Sequence, residues 1–101
     1  MQPKSMDWQH LIVEFHGLVA GNPYQVCNSF VDAAGDEHKV GENWLLVGSM
    51  FSKFDDLVTL CVSLKDGSQH ELPLSWRRGE QGHVIESFSQ FLIQAPLPSG
   101  A

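Results

Sequence analysis

Five histidines are the first residues whose chemistry invites inspection, because imidazole binds metals and transfers protons near neutral pH. None of them forms the His-x-x-x-His, His-x-His or Cys-x-x-Cys spacing of a local metal site. A cluster that the fold builds from His38, His70 and an acid stays open, but histidines of this kind are more often solvated or hydrogen-bonded. We therefore expect no metal and no cofactor. The five are His10, His16, His38, His70 and His83.

Nucleophiles give no stronger signal. The chain lacks the Gly-x-Ser-x-Gly sequence of a hydrolase nucleophile. Cys27 and Cys61 lie inside predicted strands, and the sequence shows beside them neither the cation nor the helix N-terminus that a catalytic thiolate needs. The sequence therefore favours reduced structural thiols and a non-enzymatic protein. The alternative is an enzyme, or a metal-binding or small-ligand domain, with a pocket near His38, Glu42 and Trp44.

Charged residues provide the candidate binding sites. Asp55-Asp56 and Asp36-Glu37 are paired acids in predicted turns, where solvated side chains are the usual outcome. Trp76 precedes the doubled basic site of the chain, and an aromatic ring beside guanidinium groups is typical of a binding hot spot. The alternative is that Trp76 closes the core while an arginine pairs with an acid such as Glu42. The candidate partner-binding residues are Asp32, Asp36, Glu37, Glu42, Asp55, Asp56, Trp76, Arg77 and Arg78.

Composition limits the class of partner. The 101 residues include 6 Lys and Arg against 12 Asp and Glu, which gives a net charge of −6. Such a chain lacks the basic surface that nucleic acids and anionic membranes attract. The N-terminus carries no uninterrupted apolar stretch of a signal peptide, and we expect a cytoplasmic protein. Length predicts one domain over residues 1–95, followed by a flexible tail at 96–101.

Two amphipathic patterns predict helices at the two ends of the domain. The first covers residues 5–19, where apolar residues recur with a period near 3.6. The second begins at Glu80 or Gln81 and is stopped by Pro96 and Pro98. The apolar positions are Trp8, Leu11, Ile12, Phe15, Leu18 and Val19 in the first helix, and Val84, Ile85, Phe88, Phe91 and Leu92 in the second.

Between these helices the period changes to two, which predicts strands over 24–30, 43–51, 57–64 and 69–76. Gly48 indicates a bulge or a close backbone approach, and Pro73 places the last strand at an edge. Residues 32–42 form a hairpin-like excursion in which four acids outweigh Lys39, for a net charge of −3. The fold class is therefore α+β, a small curled antiparallel sheet of four to five strands, a half-barrel flanked by an N-terminal and a C-terminal helix. We expect most aromatic residues of this region to lie in the core.

From Leu18 to about Leu92 the chain resembles a bacterial domain-of-unknown-function family. The shared motifs are Gly-x-x-Tyr-x-Val, a following Phe and Asp, His-x-Val-Gly-Glu-x-Trp, a Leu-Val-Gly strand before an aromatic and acidic turn, Thr-Leu-x-Val-Ser, and Leu-x-Trp-Arg with a later Gln. Leu57 departs from the family, which usually has Gly after the paired acids. The resemblance implies a fold and no activity. The matching residues are Gly21, Tyr24, Val26, Phe30, Asp32, His38, Val40, Gly41, Glu42, Trp44, Val47, Gly48, Phe51, Phe54, Asp55, Asp56, Thr59, Leu60, Val62, Ser63, Leu74, Trp76, Arg77 and Gln81.

Small size, acidity and the lack of a catalytic constellation together favour a non-enzymatic protein-binding module. A basic protein is the partner that a charge of −6 would steer. In bacteria such a module fits an immunity or inhibitor protein for a basic toxin. A homodimer through the edge strand at 69–76 is a further expectation, because exposed strand edges pair readily.

Overall fold

A computed structural model describes residues 11–77 and 79–95, and these residues form a mostly sheet structure with two short helices near the end of the chain. The helices are α1 (Gly82–Glu86) and α2 (Phe88–Phe91). The strands are β1 (Glu14–Phe15), β2 (Leu18–Val19), β3 (Pro23–Val26), β4 (Phe30–Val31), β5 (Glu37–His38), β6 (Asn43–Ser52), β7 (Leu57–Ser63), β8 (Gln69–Ser75) and β9 (Leu92–Gln94).

Five strands form one antiparallel sheet in the order β8-β7-β6-β3-β9. The antiparallel α+β class and the strands predicted over 43–51, 57–64 and 69–76 are confirmed. The acidic excursion forms its own small ladder, β4 with β5, as the predicted hairpin requires. The described strands form an open sheet and close no barrel.

The predicted N-terminal helix is wrong over residues 11–19, and its residues 5–10 lie outside the described part of the chain. Ile12 exchanges two backbone hydrogen bonds with Ser49 of β6, and β1 and β2 form a two-residue hairpin. The turn residues His16 and Gly17 both have positive φ, 50° and 92°, as a tight hairpin of this kind demands. Phe15 and Leu18 face each other across that turn. Phe15 and Leu18, three residues apart in the sequence, are therefore neighbours in this hairpin, as they would be on a helix.

The predicted C-terminal helix is correct only in part. It breaks at Ser87, whose φ of −137° is not helical, and ends at Phe91. Residues Leu92–Gln94 then become β9, which pairs with β3 and forms one edge of the sheet. Among the described residues, no helix has the length and apolar character needed to cross a membrane.

Gly48 fulfils both predictions made for it. The register between β6 and β7 shifts between Leu46 and Gly48, which is the expected bulge. The N-terminal segment also crosses directly over this position, and a Cβ added at Gly48 would lie 2.5 Å from the Cβ of Leu11. The absence of a side chain is therefore what allows residues 11 and 12 to lie against β6.

Candidate functional site

His38 lies between two carboxylates, and each of its ring nitrogens is within hydrogen-bond distance of one of them. Its Nε2 is 2.7 Å from Oδ2 of Asp32, and its Nδ1 is 2.6 Å from Oε2 of Glu42. The indole Nε1 of Trp44 donates to the same Glu42 oxygen at 3.1 Å, and the ring of Phe30 stacks on the imidazole. We call Asp32, His38 and Glu42 the His38 clamp, and residues 32–42 the acidic loop.

Local sequence places Asp32 at the base of this loop. Its Oδ1 accepts hydrogen bonds from the backbone N–H groups of Ala34 at 2.8 Å and Asp36 at 3.1 Å. An aspartate side chain commonly accepts a hydrogen bond from the backbone N–H two residues later, and this hydrogen bond initiates turns. Gly35 supplies the positive φ, 92°, that the turn needs. Asp32 itself is only 4% exposed, so its charge depends on these donors and on His38.

The geometry of the clamp fits a protonated imidazole. Neutral imidazole donates from one nitrogen only, but both nitrogens of His38 face carboxylate oxygens at hydrogen-bond distance. Burial lowers the pKa of His38, but the hydrogen bonds to Asp32 and Glu42 and their negative charges outweigh it, and the pKa is raised above 6.5. His38 therefore donates from both nitrogens and holds two parts of the acidic loop together.

The stabilising contribution of the clamp should disappear as the pH rises. Because the folded-state pKa of His38 exceeds 6.5, the contribution is complete below pH 6.5 and is lost as the pH passes the folded-state value. Urea unfolding of wild type and His38→Gln at about pH 5.5 and about pH 8 measures this. The difference in free energy of unfolding should be larger at the lower pH, and a difference that grows with pH would contradict the clamp.

The urea experiment ends at about pH 8, because at higher pH the thiol of Cys61 would add a second pH dependence to the stability. Burial, followed by the charge of Glu71, raises the pKa of this thiol from 9.0 to about 12. The unfolded chain would therefore release this proton first, and stability would fall for a second reason above pH 9. Cys61 is fully buried, so it is an inert structural thiol. Neither Cys27 nor Cys61 forms a disulfide.

A cavity of about 560 Å³ opens beside the clamp, between the acidic loop and the hairpin of β7 and β8. Its apolar floor includes Trp44, Val62 and Leu72, which are all buried. Its walls and rim carry charged and polar groups of both elements. These are Asp32, Asp36, His38, Glu42, Asn43, Lys65, His70 and Glu71. His38 and His70 thus share one cavity, yet the described residues contain no group of three or more side chains placed to hold a metal ion.

The structure separates the predicted site residues into two surfaces. Asp32, Asp36, Glu37 and Glu42 belong to the acidic loop at the start of β6. Asp55, Asp56, Trp76 and Arg77 lie beyond the last residue of β6, so Glu42 and Asp55 are separated by about 30 Å, the length of a ten-residue strand. The base of the acidic loop lies closer to them, because the Ala33 N–H donates to the Pro73 carbonyl, three residues before Trp76. Arg77 lies 4.0 Å from Asp56 rather than near Glu42, and Asp55 is exposed in the same turn. Arg78 lies outside the described residues.

Two aromatic residues at this end of β6 lie outside the core. Phe54 is 91% exposed and Phe51 is 44% exposed, whereas Tyr24, Phe30 and Trp44 are buried, as expected for most of the aromatic residues. Trp76 is half-buried, packs edge-on against Phe51 at 5.9 Å, and donates through Nε1 to Glu86. Asp56 takes the positive φ of the turn, 51°. This explains why the chain tolerates Leu57 where a glycine was expected.

The edge strand β8 is covered over its second half. Pro73 has no N–H to offer, and its carbonyl accepts a hydrogen bond from the Ala33 N–H at 2.8 Å. The N–H of Ser75 donates to Oε1 of Gln81, and the Ser75 carbonyl accepts from the Gln81 N–H. A homodimer through this strand therefore has only the residues before Pro73 for pairing.

Comparison with known proteins shows the fold. No protein-family model and no curated protein matches the chain. A solved structure, an integron cassette protein from the mobile metagenome of Vibrio cholerae, superposes with a TM-score of 0.84 at 23% sequence identity. The match covers 90% of this chain and 100% of that protein. This chain therefore shares its fold with a bacterial mobile-cassette protein.

Proposed function

We propose that the protein is a non-enzymatic binding module that takes a basic side chain of a protein partner into the cavity beside the His38 clamp. One observation carries the proposal. The cavity joins an apolar floor at Trp44 and Leu72 to carboxylates on its walls at Asp36, Glu42 and Glu71. Arginine and lysine have the complementary form, an aliphatic stem that packs on apolar surface and a cationic head.

The His38 clamp supports binding rather than catalysis. Both ring nitrogens already bond to carboxylates at 2.6 and 2.7 Å, so neither is free to exchange a proton with a substrate. The clamp instead fixes the acidic loop before a partner arrives, which lowers the entropy cost of association. The net charge of −6 would in addition steer a basic partner toward the protein.

Binding of a tri-arginine peptide tests the proposal, with the neutral tri-citrulline peptide as the matched ligand. We expect amide NMR shifts at the cavity residues Asp36, Gly41 and Lys65 with the arginine peptide only. Asp36→Asn should weaken binding by about three- to tenfold, the effect of one charge pair of about 0.7–1.4 kcal/mol. Affinity should also fall with added salt.

Asp55→Asn is the matched control, because it removes the same charge from the opposite end of β6. It should leave the affinity nearly unchanged. Equal weakening by both variants would mean that the peptide senses only the overall charge, and the proposed site would then be rejected. Binding of free N-acetylarginine amide as tight as that of the peptide would favour the alternative function, a small-ligand domain.

An immunity or inhibitor protein for a basic toxin is the narrower form of this proposal. A basic nuclease has the charge that the acidic loop would attract, and the protein should inhibit it in a 1:1 complex. The product of an adjacent toxin gene is the direct test. Failure to bind it would reject the narrower form only. The resemblance to the bacterial family and the cytoplasmic location remain predictions of the sequence.

A further inference from the structure

The two carboxylates that hold His38 differ in their surroundings. Asp32 has only 3% of its side chain exposed, and its other oxygen, Oδ1, already accepts two backbone N–H groups of the acidic loop. Glu42 has 33% of its side chain exposed and lies on the wall of the proposed binding cavity. A rotation of the Glu42 side chain would therefore bring its carboxylate into the cavity, whereas the Asp32 carboxylate is held in place.

The backbone at the end of the acidic loop does not depend on the Glu42 side chain. The Glu42 carbonyl accepts a hydrogen bond from the Val26 N–H at 2.8 Å, and the Val26 carbonyl accepts one from the Gly41 N–H at 2.9 Å. These bonds tie the end of the loop to β3, and the bond between Asp32 and His38 holds its base. The Glu42 carboxylate can thus leave His38 while the loop stays closed.

We propose that the cationic side chain of the partner replaces the imidazolium of His38 at the Glu42 carboxylate, and that His38 then loses one proton. The Nδ1 proton goes to water, and the neutral ring keeps the Nε2–H that donates to Oδ2 of Asp32. Loss of the proton removes the repulsion between imidazolium and incoming cation. This exchange rests on the proposed function, because it takes place in the same cavity, and it makes binding dependent on pH.

The affinity for a basic side chain should increase with pH. Burial lowers the pKa of His38, but its hydrogen bonds to Asp32 and Glu42 and their charges raise it above 6.5 in the free protein. In the complex Glu42 is lost to the partner and a cation lies nearby, so the pKa of His38 is lower there. Binding therefore strengthens from the pKa of the complex up to that of the free protein and is constant above it.

Other charged groups share the surroundings of His38 and have to be separated from it. On one face the imidazole stacks on the uncharged ring of Phe30. Histidine is the only residue type among these groups that ordinarily titrates near neutral pH, so His70 is the competing source of a released proton. Besides Asp32 and Glu42, the groups that face or adjoin His38 are Asp36, Glu37 and Lys39 of the acidic loop, and Lys65, His70 and Glu71 of the hairpin of β7 and β8.

Calorimetric titration with a tri-arginine peptide in two buffers of different ionisation enthalpy counts the protons that binding releases. The peptide has blocked ends, because a free α-amino group would titrate in the same range. We expect release to approach one proton per bound peptide between the two pKa values of His38. The NMR shifts of the His38 ring should show its pKa falling when the peptide saturates the protein. Affinity should increase about tenfold for each pH unit of that fall. Binding without proton release, or an unchanged or raised pKa of His38, would overturn the exchange.

Two variants locate the exchange in the cavity. Glu42→Gln removes the carboxylate that changes partners, so the peptide should bind more weakly and release no proton. His70→Gln removes the competing histidine, and proton release should persist. Full release in Glu42→Gln, or loss of release in His70→Gln, would assign the proton to another group and reject the exchange. A peptide that binds wild type at no pH rejects the proposed function together with the exchange, whereas binding without proton release rejects the exchange alone.

Discussion

Replacing His38 with leucine is expected to lower the free energy of unfolding by about 3 kcal/mol, the loss typical of a buried ion pair deprived of one partner. Asp32 is buried and would lose its charge-assisted hydrogen bond to His38, with no water to replace it. Glu42 is about one-third exposed in its side chain, so water would compensate its loss in part. The isothermal urea midpoint and slope of wild type and variant provide the measurement.

The control is His70→Leu, which makes the same substitution at an exposed histidine of the same cavity. It should change the free energy of unfolding by less than about 0.5 kcal/mol. Adding Asp32→Asn and Glu42→Gln to His38→Leu should recover part of the lost stability, because the uncompensated charges are then gone. A loss below about 1 kcal/mol for His38→Leu, or no recovery in the triple variant, would show that the clamp is not the main support of the acidic loop.

Gly48→Ala is expected to destabilise the fold by about 1–3 kcal/mol, as overpacking in a tight interior does. The new methyl group would lie 2.5 Å from Cβ and 2.7 Å from Cδ1 of Leu11. Because a Cβ atom moves only with its backbone, the segment that pairs Ile12 with Ser49 would have to shift. Thermal and urea unfolding measure the loss, and amide exchange at Ile12 should increase.

A double-mutant cycle with Leu11→Gly isolates the steric cause. The double variant should be less destabilised than the sum of the two single changes, since the atoms in conflict are then absent. Gly82→Ala is the matched control, because Gly82 also has an ordinary φ and its added Cβ would lie 3.3 Å from the nearest atom, in Trp76. Additive effects at residues 11 and 48 would reject the close contact as the reason for glycine.

The candidate site was predictable from the sequence only as a set of residues. The spacing of His38, Glu42 and Trp44 marked a pocket as an alternative, and the acidic excursion was visible as a local charge. The sequence did not show that Asp32 would reach the second nitrogen of His38, because that contact depends on how β4 pairs with β5. Lys65 and Glu71 were missed as cavity residues for the same reason. No local signal connects the hairpin of β7 and β8 with the acidic loop.

The sequence by itself determined the strands β6, β7 and β8, the edge position of Pro73 and the role of Gly48, since each follows from an apolar pattern or from a backbone property of one residue. The strand predicted over 24–30 is divided between β3 and β4. Tertiary structure decided whether ambiguous segments became helix or strand. Phe15 and Leu18 fit one helix face and one hairpin equally well, and pairing of Ile12 with β6 selected the hairpin. Leu92 continued a helical pattern, but the open edge of β3 made it a strand. Local periodicity limits the conformations of a segment, and hydrogen-bonding partners distant in sequence choose among them.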